Sequence, residues 1–263
     1  KEYLGGAKKN TAPGVSGVAI EMWVHSSEKT LLALLKILNE CLREGEVPQL
    51  WQKRVIRPLA KSDTAVGLSD IRPITLLEVT QKILTGILTK RIGAVWNEAG
   101  ILTDSQMAFL EGRGCYQAIE RIRGVLLDSE HTDRECHILY LDLAKAYDSC
   151  EYWALEAAMR GLGVPEKILT VMRKLDEGAE AKVLTGGAAG VTKGIKLGRG
   201  APQGEVMSPL RFIAWMNLLM ATIAKKKSLG YRCEGMVEGY PGQAFCDDGC
   251  FVAHSRDELQ EIC

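Results

Sequence analysis

Two adjacent aspartates, Asp247 and Asp248, sit between two short apolar runs, residues 243–246 and 249–253. Both runs read as strands, which puts the pair at the tip of a hairpin. Neighbouring carboxylates repel, and a divalent cation between them offsets that cost. Taken alone, the dipeptide reads better as a surface turn, where Asp is common for backbone reasons. A further acid changes the balance. Ile138, Leu139, Tyr140 and Leu141 read as an apolar strand, and Asp142 stands where its alternation breaks. An acid at the end of a buried strand is expensive unless it is paired or binds metal. Asp142, Asp247 and Asp248 would then form a three-carboxylate cluster on neighbouring strand ends. Hard oxygen ligands of this kind hold Mg²⁺ with room left for phosphate oxygens. Two such ions activate a 3′-hydroxyl and stabilise a leaving pyrophosphate.

The stretch GRGAPQGEVMSPLRF, residues 198–212, lies between the two acidic elements in the chain. Gly198, Gly200 and Gly204 free the backbone there, and Gln203 offers an amide. Ser208 is suited to cap a helix and Pro209 to begin it. That helix, residues 209–224, runs into Lys225, Lys226 and Lys227, cations suited to a helix C-terminus.

Other elements must position these groups. Leu31, Leu34, Leu35, Leu38 and Leu42 follow helical spacing, so residues 27–44 read as a helix closed by Gly45. Residues 55–59 read as a strand and residues 61–70 as a polar hairpin tip. A long helix is expected over residues 75–98, and others over 116–128, 152–160 and 165–177. Strands are expected over 182–185 and 192–197, joined by GGAAG.

The chain has 263 residues with 46% hydrophobic residues, enough for a sizeable core. No apolar run of about 18 residues is present, so no membrane span is expected. The eight cysteines are scattered, unlike a small disulfide framework, and reduced thiols are expected. Cys246, Cys250, His254 and Cys263 do not have the spacing of a closed zinc site. His25, His131 and His137 show no partner pattern. Net charge is zero, with 33 basic and 33 acidic residues, but the distribution is uneven. Between Trp51 and Arg91 stand Lys53, Arg54, Arg57, Lys61, Arg72, Lys82, Lys90 and Arg91, against Asp63, Asp70 and Glu78 alone. A basic stretch beside a set of acids suits an enzyme that binds both phosphates and metal. Two solvated faces of opposite bias would give the same counts.

These motifs together resemble the fingers and palm of a reverse transcriptase. YLDLAKAYDS, residues 140–149, resembles that family's first palm motif, an aspartate followed by an aromatic five positions on. GRGAPQGEVMSPL resembles the glutamine-glycine motif that opens the second palm helix. AFCDD, residues 244–248, resembles the aromatic-x-Asp-Asp turn. Upstream, residues 51–63 and 70–92 resemble the fingers motifs of non-LTR retrotransposon and group II intron enzymes. QMAFLEGRG, residues 106–114, and KKNTAPGVSGVAIEMW, residues 8–23, resemble further segments of the same branch. Six motifs in the family's order cover almost the whole chain.

The resemblance implies an α+β fold with an antiparallel palm sheet packed on helices. Fingers are expected over residues 1–103 and 151–200, and palm over 104–150 and 201–263. Such enzymes continue into more palm and a helical thumb. The chain stops at Cys263 and starts at Lys1, so a fragment of a polyprotein without its thumb is expected.

The implied activity is RNA-directed DNA polymerisation. Its implied partners are an RNA template, a DNA or RNA primer and dNTPs. Its implied cofactor is Mg²⁺, two ions, with Mn²⁺ able to substitute. Asp142 and Asp247 match the metal ligands, and Asp248 is the third, weaker member. Asp148 matches a structural or capping position. Tyr147 matches the aromatic under the incoming sugar, with Leu143, through its carbonyl, and Ala146 lining the same pocket. Lys61 and Arg72 match the residues that hold the triphosphate, and Gln203 a positioning amide. Arg113 is a candidate for template phosphate. Ser16 replaces an aspartate usual in its motif, Cys246 stands where Ala or Met is more usual, and Glu205 puts an acid near the expected template path. The alternatives are a non-catalytic RNA-binding module, which would usually have lost its acids, and an RNA-dependent RNA polymerase, against which Tyr147 argues. Compartment is open: nucleus for a eukaryotic retrotransposon enzyme, cytosol for a bacterial one.

Overall fold

The computed structural model describes residues 1–64, 66–110, 112–186, 190–226 and 228–263. In chain order the helices and strands begin with α1 (Glu2–Gly5), α2 (Ile20–Val24), α3 (Glu28–Glu44), β1 (Lys53–Ala60), β2 (Ile71–Leu76) and α4 (Val79–Glu98). Next come α5 (Cys115–Thr132), β3 (His137–Leu141), α6 (Ala146–Ser149), α7 (Tyr152–Gly161) and α8 (Glu166–Glu177). The chain ends with β4 (Glu180–Val183), β5 (Ile195–Lys196), α9 (Ser208–Ala224), β6 (Gly242–Phe245), β7 (Asp248–Ala253) and α10 (Arg256–Ile262). This is an α+β fold. Among the described residues no helix is long and apolar enough to cross a membrane.

Internal packing divides the chain into two compact units. The first holds Lys1–Ile92 and Tyr147–Ser208, the second Gly93–Ala146 and Pro209–Cys263. The first unit is built on a four-stranded sheet of order β2-β1-β4-β5. β1 pairs antiparallel with β2, from Val55 opposite Leu76 to Ala60 opposite Ile71, and parallel with β4. Arg54 on β1 is buried against Asp176 at 3.7 Å and donates from Nη2 to the Leu175 carbonyl at 2.8 Å. That pairing makes the charge tolerable in the interior. α3 begins at the Ser27 cap, whose hydroxyl accepts from the Thr30 amide, and ends at Gly45 with φ +71°. Both ends fall where the sequence put them.

β4 and β5, expected over 182–185 and 192–197, lie at Glu180–Val183 and Ile195–Lys196, and the stretch before α4 differs in kind. The helix expected from residue 75 starts only at Val79, and Ile71–Leu76 is a strand. Pro73 and the β-branched Ile71, Ile74 and Thr75 disfavour a helix there, and β1 offers a pairing edge.

The second unit carries a fully antiparallel sheet of order β3-β7-β6. Side chains alternate across it. Phe251, Ala253 and Ala244 pack with Met220 and Ile223 of α9 and with Leu259 and Ile262 of α10. Val252, Ile138 and Cys250 pack on the other side with Ile122 and Val125 of α5 and with Tyr231. A sheet sandwiched this way holds its strand ends in fixed register.

α9 opens differently from expectation. Ser208 is already helical, and its buried hydroxyl makes no hydrogen bond among the described residues. The carboxylate of Glu205 takes the amide of Met207 at 2.8 Å just ahead of the helix. Glu205, the acid expected near a template path, is buried and acts as a local cap. Lys227, expected at the C-terminal end of this helix, lies outside the described residues, as do positions 187–189 of GGAAG.

Candidate active site

The turn between β6 and β7 consists of Cys246 and Asp247, because Phe245 pairs directly with Asp248. The tip is therefore one residue earlier than expected: Asp247 is on it, and Asp248 is the first residue of β7. Cys246 has φ +60°. A two-residue hairpin loop demands such a conformation because only a mirror-image turn matches the twist of the strands.

β3 pairs with β7 so that Leu141 lies opposite Gly249. Continued by one residue, that register sets Asp142 opposite Asp248. Gly249 leaves the space: a Cβ there would come within 3.4 Å of Leu141 and 3.0 Å of Phe251. The three acids thus share one end of one sheet. Burial pushes the Asp248 carboxyl up, and the charges of Asp247 and Asp142 push it further. Like charges opposite each other on neighbouring strands repel, which a cation relieves.

The donor set fits a hard divalent ion: carboxylate oxygens, with excess negative charge. Among the described residues, no group of three or more His, Cys, Asp or Glu side chains is disposed to hold a metal ion by itself. An ion here would take two carboxylates and complete its shell with water or phosphate oxygens, as Mg²⁺ commonly does.

The turn has a support that the sequence did not single out. Gln106 is fully buried, and its Oε1 accepts from the Cys246 amide at 3.1 Å and the Ala108 amide at 3.0 Å. The segment around it extends the sheet, with Gln106 bridged parallel to Ala244. A buried glutamine inside the recognised QMAF segment was the signal available. Arg113 lies close by in the chain. Its guanidinium donates to the Thr103 carbonyl at 2.8 Å, the Gln106 carbonyl at 3.0 Å and Asp104 at 2.7 Å.

Leu143 and Ala146 also belong to the second unit. The Ala146 amide donates to the Leu143 carbonyl at 3.2 Å, and Ala146 is buried.

Tyr147, Gln203, Arg72 and Lys61 belong to the first unit. Tyr147 is half-buried in α6, and its carbonyl accepts from Ala201 at 2.8 Å. Asp148, expected as a cap or structural residue, lies within α6. Gly200, with φ +95°, fits against it: a Cβ would come within 3.3 Å of the Asp148 carbonyl. Gln203 accepts at its carbonyl from the Thr75 amide at 2.7 Å. The glycine-rich loop is thereby tied to β2, the strand that carries the exposed Arg72. Lys61 follows β1 and is exposed, with Nζ donating to the Ser69 carbonyl at 2.8 Å.

A family model described as "Reverse transcriptase (RNA-dependent DNA polymerase)" matches residues 59–263. The chain is 26% identical over 253 residues to a "Retrovirus-related Pol polyprotein from type-2 retrotransposable element R2DM" of Drosophila melanogaster, covering 96% of this chain and 23% of that protein. It is 26% identical over 277 residues to the corresponding polyprotein from "type-1 retrotransposable element R1" of Bradysia coprophila, covering 97% and 24%. It is 22% identical over 209 residues to a "Probable RNA-directed DNA polymerase from transposon X-element" of Drosophila melanogaster, covering 79% and 23%. The chain spans about a quarter of the length of these curated relatives. The retrotransposon relatives agree with the non-LTR branch that the fingers motifs resemble. With the family's pattern over most of its length and its acids on one sheet end, the chain belongs to the reverse transcriptase (RNA-dependent DNA polymerase) family.

Proposed function

We propose that the chain is the RNA-directed DNA polymerase domain of a retroelement polyprotein. It adds dNTPs to the 3′-hydroxyl of a DNA or RNA primer on an RNA template. The observation that carries this reading is the placement of Asp142, Asp247 and Asp248 at one end of one sheet, on adjoining strand ends. The printed name of the X-element relative, an RNA-directed DNA polymerase, supports the same activity. The first unit would act as fingers and the second as palm.

Asp142 and Asp247 would hold Mg²⁺, two ions in the working site, with Mn²⁺ able to substitute and Asp248 contributing from the strand beside them. The ions supply charge stabilisation for the attacking hydroxyl and the leaving pyrophosphate oxygens. Arg72 and Lys61 would bind the triphosphate, Arg72 bidentately from its exposed place on β2. Tyr147, Ala146 and the Leu143 carbonyl, which keeps a second lone pair, would line the sugar pocket. A ring at Tyr147 would exclude a 2′-hydroxyl by size. Gln203 would position the nucleotide or template.

Primer extension on an RNA template, with dNTPs and Mg²⁺ or Mn²⁺, tests this against Asp247→Asn. Loss of a metal ligand is expected to lower incorporation by about a hundredfold or more, with the circular dichroism spectrum unchanged. Equal extension by both proteins would sink the site assignment. Saturable RNA binding with no dNTP binding by the wild type would favour a non-catalytic RNA-binding module instead.

A further inference from the structure

We infer that Gln106 is a positioning residue for the Asp247 turn and that Arg113 acts through it. This rests on the proposed role of Asp247. Cys246 is the residue immediately before Asp247; its amide belongs to the 245–246 peptide, and the backbone angles of Cys246 carry that peptide's orientation on to Asp247. Its φ of +60° is one that a residue with a Cβ rarely adopts. Such a conformation persists when the surroundings over-determine it. The Gln106 side chain supplies that constraint from inside the unit, through the Cys246 amide.

The two donors to Gln106 Oε1 are both backbone amides, from Cys246 and Ala108. That fixes which end of the side chain is oxygen. Gln106 Nε2 is buried with no hydrogen-bond partner among the described residues. The site therefore uses the glutamine for its acceptor. Its backbone is equally constrained: Ala244 N donates to Ser105 O at 2.8 Å and Met107 N to Ala244 O at 2.9 Å. Arg113 closes the chain of contacts by clamping the Thr103 and Gln106 carbonyls with one nitrogen, Nη1. Its half-buried guanidinium is engaged within the unit, in place of the template phosphate that the resemblance implies. The order of action is Arg113 to Gln106, Gln106 to Cys246, Cys246 to Asp247.

The test uses Gln106→Met, which keeps length and loses the acceptor, beside Asp247→Asn and Ile262→Ala. Ile262 is buried in the core with Met220 and Ile223 of α9, and its truncation serves as a control for general destabilisation. Should Gln106→Met fail to fold, Gln106→Asn withdraws the amide by one methylene and replaces it. Three quantities are measured: hydrogen exchange of the Cys246 amide, Mn²⁺ affinity of the chain by electron paramagnetic resonance, and kcat and KM for single dNTP addition. In Gln106→Met, exchange at Cys246 is expected to rise about tenfold or more while Phe251 and Val252 stay protected. Mn²⁺ affinity and kcat are expected to fall about tenfold, with KM for dNTP unchanged. Arg113→Lys is expected to shift the same quantities in the same direction and to leave the salt dependence of RNA binding as it was.

Unchanged Cys246 exchange and Mn²⁺ affinity in Gln106→Met, with Mn²⁺ affinity lost in Asp247→Asn, would overturn the positioning role and leave the site assignment standing. The same losses in Ile262→Ala would reduce Gln106 to an ordinary stabilising residue and overturn the inference too. Retained Mn²⁺ affinity in Asp247→Asn would overturn the site, and the inference with it.

Discussion

Gly204 has φ +111°, and a Cβ on it would meet the Thr75 carbonyl at 2.7 Å. Gly200, at φ +95°, has the Asp148 backbone within 3.3 Å, while Gly198 has open space around it. The three glycines look alike in the sequence, and only two of them do work that needs glycine. A glycine's spacing says that the backbone is free to turn; which neighbour it must approach depends on β2 and α6, far away in the chain. Gly204→Ala is accordingly expected to cost about 1–3 kcal/mol and to loosen the loop that carries Gln203. Thermal unfolding reads the first effect, and a raised KM for dNTP would read the second. Gly198→Ala is expected to be near neutral. Equal losses from the two substitutions would disprove the distinction. Glu205 teaches a related lesson. An acid after Gln203-Gly204 reads as lying near the template path, yet Glu205 is buried and its carboxylate accepts the Met207 amide just ahead of α9.

At the scale of elements, the legible ones have local causes. The leucine spacing, the Ser27 cap and Gly45 specify α3 without help from the rest of the chain. β2 was not legible, because Thr75 to Glu98 reads as one amphipathic run and only the β1 edge claims its first residues. The segment between α9 and β6 carries almost no periodic signal, and a side chain of α5 pins it. Asp128 accepts from the Tyr231 hydroxyl and from the Glu234 amide, both at 2.8 Å. Tyr231 itself is fully buried. The Glu234 amide first, and the Tyr231 hydroxyl after it, hold the Asp128 carboxyl below the ordinary carboxylate range. Because the folded state lowers this pKa, the unfolded chain binds the proton more readily. The stabilisation is complete above the unfolded value, about 4, and is lost as pH falls through the folded one. Asp128→Asn is therefore expected to lower the melting temperature most at neutral pH, and the gap should close in acid. Melting curves from pH 7 to about pH 3 would show it. A gap independent of pH would mean that the charge of Asp128 contributes nothing to holding the segment.

At the scale of the molecule, the order of the motifs along the chain was readable, and it was enough to name the family. The division of labour was less so. The chain passes between its two units at residues 92/93, 146/147 and 208/209, each time within or at the start of a helix rather than at a loop that composition would flag. Asp142, Asp247 and Asp248 all fall in the second unit; Lys61, Arg72, Tyr147 and Gln203 all fall in the first. The residues proposed for metal and those proposed for triphosphate thus fall in different units, and their defects should separate. Arg72→Ala removes a charged donor to phosphate, so KM for dNTP is expected to rise about tenfold or more. Mn²⁺ affinity of the chain should not move, because no carboxylate of its unit belongs to the proposed site. Asp247→Asn should do the reverse, losing Mn²⁺ affinity in the absence of any nucleotide. Paramagnetic resonance titrations with and without dNTP, run on both variants, distinguish the two defects. Loss of Mn²⁺ affinity in Arg72→Ala without nucleotide would contradict the separation and require the basic strand β2 to shape the acidic turn directly.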